Sequence, residues 1–165
     1  MRQLTIIRHA KSSWDDQDAS DQDRALANRG QRDLVLLAPH LVGTLRNAGP
    51  CYVSPAKRAQ ETAHNLVTMD LIPKHRLRIE QALYTFDGDD LVAWLRNRDD
   101  ADHNLTMIGH NPALLELVNA LYQPGIPRLP TLGVVALDLD CASWAAVDDG
   151  IAQLRCYLYP KVFKA

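Results

Sequence analysis

The chain has few cysteines, no surplus of charge of either sign and no long apolar run, and each shortage closes off a class of protein. Its three cysteines, Cys51, Cys141 and Cys156, are odd in number, widely spaced and form no Cys-x-x-Cys pair. That argues against a disulfide framework and against a zinc site, and leaves buried reduced thiols as the expectation. With 18 Lys+Arg against 20 Asp+Glu, a formal charge of -2, no overall field draws the molecule onto nucleic acid or an anionic membrane, so any basic site must be local. No window approaches the length of a membrane span. The N-terminus opens on a strand-like pattern in place of the basic and apolar regions of a signal peptide, and a cytoplasmic location is expected. No Gly-x-Gly-x-x-Gly follows a strand and no phosphate loop ends in Lys-Ser/Thr, so nucleotide use has no support. The acidic stretch DDQDASDQDR lacks the glycine and terminal glutamate spacing of a calcium loop. It reads as a solvated loop, or as the border of a site entrance.

What the 165 residues do contain is an alternation between two hydrophobic periods. Strand-like runs fall at Leu4 to Ile7, Cys51 to Ser54, Leu77 to Glu80, Leu105 to Ile108, Val134 to Leu139 and Leu154 to Tyr159. Helix-like segments lie between the first four. Leu34, Leu37, Leu41 and Leu45 keep helical spacing around Pro39, which should split the run. Ser54-Pro55 reads as a cap and first turn of a helix reaching about Met69, a further helix spans about Asp90 to Asn97, and Asn111-Pro112 repeats the cap chemistry ahead of Leu114, Leu117, Val118 and Leu121. Strand-helix units of this kind imply right-handed crossovers. The expected fold is a single α/β domain over residues 1–165, a three-layer sandwich with a mainly parallel sheet of about six strands. The last third, with no convincing helix, should add one antiparallel edge strand.

In open α/β sheets ligands bind beyond the carboxyl ends of the strands. Strand one ends in Arg8-His9, strand two at Ser54-Pro55 with Arg58 one turn on, and strand four in Gly109-His110-Asn111. Each residue alone has a structural explanation, a hydrogen-bonded histidine or a salt-bridged arginine. Together they form a cluster of cations whose ionisation costs rise unless an anion is present. Arginine forks and a helix start suit phosphate, and two guanidiniums repel a metal ion. A dinuclear metal centre would also want carboxylates at these strand ends, and none stands there. On this reading His9 attacks phosphorus while Arg8, Arg58 and His110 hold the phosphoryl oxygens, with the pKa of His9 lowered by the guanidiniums. Lys11 and Ser12, next along the loop, are the candidate substrate-binding residues.

The motifs RHAKSSW, DRALANRG, SPAKRAQETA and MIGHNPALLEL, in that order, resemble the histidine phosphatase superfamily, and most closely its SixA-type phosphohistidine phosphatases. Ala10 replaces the glycine of the superfamily's Arg-His-Gly hallmark. The resemblance implies a phosphohistidine intermediate on His9, with Arg8, Arg58 and His110 completing the pocket; no cofactor and no metal are expected. Where many members carry a glutamate proton donor after the third strand, RIEQALY places Gln81, with Glu80 beside it as the candidate acid. A missing acid harms esters with alkoxide leaving groups more than phosphohistidine, whose ring nitrogen leaves more easily. The connections are short, with no insertion to roof the site, which suits a phosphorylated side chain on another protein. The expected protein is a monomer hydrolysing phosphohistidine on a partner protein, without nucleic-acid or membrane partners. The alternatives are a phosphatase of small phosphate esters, using Glu80 or an Asp of residues 87–90 as acid, and a non-catalytic phosphoprotein-binding module.

Overall fold

The apolar runs form one sheet in a computed structural model that describes residues 1–165. Its strands are β1 (Arg2–Arg8), β2 (Cys51–Val53), β3 (Leu77–Ile79), β4 (Asn104–Gly109), β5 (Val134–Leu139) and β6 (Ala152–Leu158), arranged β3-β2-β4-β1-β5-β6. The helices are α1 (Asn28–Leu37), α2 (Val42–Leu45), α3 (Lys57–Thr68), α4 (Gly88–Leu95) and α5 (Ala113–Leu121). Pro39 splits the first helical run as its missing N–H dictates, leaving a 3-10 turn over Ala38–His40 between α1 and α2. None of the helices is long and apolar enough to cross a membrane.

β1 to β4 are parallel to one another, whereas β5 pairs antiparallel with both β1 and β6. The sequence predicts one antiparallel strand at the sheet edge; the structure has one, placed one position further in. The segment between β5 and β6 holds only a 3-10 turn, so the chain folds straight back and β6 covers the free side of β5.

Side chains alternate across β1, and that alternation builds two cores. Leu4 and Ile6 enter a cluster of 22 buried residues shared with α4 and α5. Ile7, with Val53, Ile108 and Val134, joins 17 buried residues beneath α1, α2 and α3. Helices therefore cover both faces and the three layers are formed. Trp94 and Trp144 belong to the first core, and all three cysteines are free thiols, with Cys51 buried and Cys141 and Cys156 half-buried.

Two helices start later than their cap signals predict, and neither has a side-chain cap. α3 begins at Lys57, and the Ser54 hydroxyl, while accepting the Ala56 N–H at 3.2 Å, also bonds His110 Nε2 at 2.8 Å. α5 begins at Ala113, and Asn111 Nδ2 donates to the Leu129 carbonyl at 2.8 Å.

Register fixes where the polar residues meet. Arg8 lies opposite Gly109 and Val53 opposite Ile108, so three neighbouring parallel strands end at one level. Past those ends the His9 N–H still donates to Gly109 O at 3.2 Å and the Ser54 N–H to Ile108 O at 3.0 Å. Buried Thr62 then ties α3 to the loop after β1: its Oγ1 donates to the Arg58 carbonyl at 2.7 Å and accepts the Ala10 N–H at 3.0 Å. Thr62→Val keeps the shape and orphans the Ala10 N–H. It should cost about 1 to 3 kcal/mol, read as a lower urea midpoint at an unchanged m-value.

Candidate active site

The ends of β1 and β4 bring the rings of His9 and His110 to a centroid separation of 5.2 Å. Arg58, the second residue of α3, is 2% exposed and reaches both. Its Nε–H donates to His9 Nε2 at 3.3 Å and its Nη2 to His110 Nδ1 at 3.2 Å. A guanidinium can only donate, so neither imidazole nitrogen facing it carries a proton. The proton of His9 sits on Nδ1 and is given to the Ala10 carbonyl at 2.7 Å, while that of His110 sits on Nε2 and goes to Ser54 Oγ at 2.8 Å. Both rings are thus held neutral in a fixed tautomer, and His9 presents a lone pair on Nε2.

Burial is the main cause of that neutrality. It pushes the pKa of His9 down to about 3, with the charges of His110, Arg58 and Arg8 adding to the effect against the pull of the Ala10 carbonyl. His110 falls to about 4, again first through burial and then through Arg58. Arg8 is half-buried and its own pKa is lowered by burial and by Arg58. Its Nη1 donates to the Leu129 carbonyl at 3.0 Å, and its Nε is buried without a partner.

The cationic cluster calls for an anion, and the acidic loop supplies one. Asp21 Oδ2 accepts from Arg58 Nη2 at 3.1 Å and from the Tyr84 hydroxyl at 2.6 Å, its Oδ1 lies 3.5 Å from Arg24 Nε, and its backbone carbonyl accepts from Arg58 Nη1. Burial works to raise the pKa of this carboxyl, but the hydrogen bonds from Tyr84 and Arg58 outweigh it and hold Asp21 below the usual carboxylate range. Arg24 is buried, donates from Nη1 to Ser12 Oγ at 2.7 Å and lies 3.6 Å above the exposed ring of Trp14.

One cleft of about 280 Å³ gathers Arg8, His9, Lys11, Ser12, Arg58 and His110, together with Trp14, Asp21, Arg24 and Phe86. Glu80 is not among its lining residues. Its Oε1 accepts the Ala82 N–H at 3.3 Å and caps the short turn after β3. The acidic stretch DDQDASDQDR does border the entrance, but sequence singles out neither Asp21 nor Arg24 within it, nor Phe86, because all three stand on irregular segments where hydrophobic periodicity carries no signal. DRALANRG contained the trace of Arg24, and its Gly30 shows why the motif is fixed in space: a Cβ there would overlap the Lys11 carbonyl, so α1 could not pass over the site loop. No three His, Cys, Asp or Glu side chains are grouped as a metal-binding set.

A neutral, oriented imidazole set among guanidiniums at the ends of parallel strands is an arrangement for phosphoryl transfer through histidine. Residues 4–107, more than half of the chain, match the family model described as Histidine phosphatase superfamily (branch 1), and the protein belongs to that superfamily of phosphatases. The Mycobacterium tuberculosis (strain H37Rv) protein named Uncharacterized protein Rv1276c is 28% identical over 166 residues, covering 94% of this chain and 100% of its own. Among solved structures, the protein histidine phosphatase SixA complexed with tungstate superposes with a TM-score of 0.79 at 23% identity, over 98% of this chain and 99% of that one. The mycobacterial glucosyl-3-phosphoglycerate phosphatase Rv2419c with VO3 superposes with a TM-score of 0.63 at 15% identity, over 94% and 98%. At these identities the structural likeness speaks for the fold.

Both imidazoles are held below the ordinary histidine value of 6.5, so the unfolded chain binds protons that the folded chain refuses. Their contribution to stability is complete above 6.5 and is lost as pH falls toward the folded values of about 4 and about 3. The ring 13C and 15N shifts of His9 and His110 should stay at neutral values at pH 5, and His110→Gln should flatten the fall in stability between pH 6.5 and 4. A second expectation concerns Asp21. Asp21→Asn keeps a hydrogen-bonding side chain on Arg58 and Tyr84 but removes its charge, and titration calorimetry should show inorganic phosphate binding roughly two- to fivefold more tightly.

Proposed function

We propose that the protein hydrolyses phosphohistidine on another protein through a phosphorylated His9. The observation that carries this reading is the fixed tautomer of His9: with Nδ1–H given to the Ala10 carbonyl, Nε2 is left unprotonated in the wall of the cleft, its lone pair released for attack when the phosphoryl group draws the Arg58 Nε–H away from it. Its lone pair attacks phosphorus, the P–N bond of the substrate breaks, and the leaving imidazole takes up the electron pair. Arg8 and Arg58 donate to the phosphoryl oxygens, and His110 joins them by taking a proton from solvent on Nδ1 as the dianion enters, with Lys11 and Ser12 at the rim. Water then attacks the phosphohistidine, the Nε2–P bond breaks and inorganic phosphate leaves. Arginines supply the electrostatic stabilisation that a cation supplies elsewhere, so EDTA should leave the rate unchanged.

Two features favour phosphohistidine over an alkyl ester. Asp21 is the one carboxylate lining the cleft, and Arg58 and Tyr84 hold it ionised, a poor source of a proton for an alkoxide. The rings of Trp14 and Phe86, 69% and 48% exposed, stand beside the phosphate pocket, where they can flank an incoming imidazole.

The test is turnover of a phosphohistidine protein beside phenyl phosphate and sugar phosphates. Phosphohistidine should be preferred, acid-labile and alkali-stable label should be trapped on His9, and His9→Ala should be inactive. Arg58→Ala should cost about 2 to 4 kcal/mol in kcat/KM on every substrate. Glu80→Gln should have little effect on any of them. A strong preference for sugar phosphates, with severe loss on Glu80→Gln, would replace this reading by the small-ester one, and binding of phosphoprotein without turnover would replace it by a non-catalytic module.

A further inference from the structure

A second cavity, of about 360 Å³, adjoins the catalytic cleft and shares Arg8, Asn111 and Thr131 with it. Five cations line it: Arg8, Arg29 from α1, Arg128 from the loop before β5, and Lys161 and Lys164 from the C-terminal turn after β6. The only carboxylate in its lining is that of Asp33, which is 2% exposed. Asp33 is already engaged, with Lys164 Nζ at 3.0 Å and Arg29 Nε at 3.7 Å, and so fastens the C-terminal turn to α1. Arg8, Arg128 and Lys161 form no ion pair with any carboxylate. In a chain whose formal charge is -2, three unpaired cations around one pocket are a local reversal of sign.

We propose that this cavity is a second anion subsite, which takes a carboxylate carried by the substrate while its phosphoryl group lies on His9. Arg8 joins the two sites. One edge of its guanidinium is fixed to the Leu129 carbonyl, its Nε has no partner, and the group stands in the wall common to both spaces. A ligand that spans them must carry two anionic groups separated by the width of that wall. The carboxylate comes from an Asp or Glu side chain close to the phosphohistidine, or from the acid group of a small phosphate ester. The first source rests on the function proposed above and the second does not. The subsite acts on recognition: charge pairing at a partly exposed rim lowers KM and steers the encounter, and leaves the chemical step alone.

The test uses Arg128→Ala/Lys161→Ala, two exposed side chains outside the catalytic cleft, and Arg128→Lys/Lys161→Arg as the charge-preserving control. Two pairs of substrates are compared: a phosphohistidine peptide with glutamates beside the phosphorylated residue against the same peptide with glutamines, and 4-carboxyphenyl phosphate against phenyl phosphate. The alanine pair should raise KM about tenfold for the carboxylated member of a pair, with less than twofold change in its neutral counterpart and in kcat. The control should restore it, and 0.5 M salt should erase the preference in the wild-type protein. Selectivity in the peptide pair alone assigns the carboxylate to a protein partner, and selectivity in the ester pair alone to a small substrate. If the wild type turns over neither peptide, the phosphohistidine reading fails while the ester pair still tests the cavity. Equal shifts within both pairs, or no shift in either, overturn the subsite.

Discussion

Burying a guanidinium is costly unless its donors are met, and the site is organised around one that is 2% exposed. Arg58 meets that demand with two imidazole nitrogens, a carboxylate and a backbone carbonyl, drawn from the ends of β1 and β4 and from the loop before α1. Each partner is constrained in return. His9 and His110 are driven into single tautomers because a guanidinium faces them, and Asp21 is held across the cleft because it neutralises the charge. Ser54 gives up most of its role as a helix cap to accept the proton that His110 cannot place toward Arg58.

Much of this was legible in the sequence, for a physical reason. Arg8, His9 and His110 follow unbroken apolar runs, and a parallel sheet puts strand ends on one edge, so hydrophobic period alone predicts that they converge. The spacing from Ser54-Pro55 places Arg58 with them, and the core positions Leu34, Leu37, Leu41 and Leu45 follow from helical spacing with a break at Pro39. Residues on irregular backbone could not be read in this way. Asp21 and Arg24 lie in a loop whose composition fits either a solvated segment or the border of the entrance, and the unmet charge of the histidine-arginine cluster hints that an acid must come back to it. Glu80 shows the opposite failure: adjacent in sequence to the strand end, its carboxylate caps the turn it begins. Which of the last two strands runs against the rest is not legible, because periodicity gives a strand's faces and says nothing of its neighbours.

Two adjoining cavities that share one arginine also bear on the overall charge. A chain with 20 acidic and 18 basic residues has no field of its own to attract an acidic partner, and yet its cleft and the cavity beside it are both lined with cations. The acidic loop of residues 15–23 borders the cleft and sets Asp21 against Arg58, while the carboxylate of the second cavity, Asp33, is taken by Lys164 and Arg29.

The position of β6 has one more consequence. By covering β5 it leaves β1 two strands from the nearer edge, bonded on one side to β4 and on the other to β5. Amides in such a strand exchange with solvent only when the surrounding sheet opens, an event whose free energy approaches that of unfolding the whole domain. His9, the nucleophile of the proposed reaction, thus follows directly on a strand whose amides should be among the slowest in the protein to exchange.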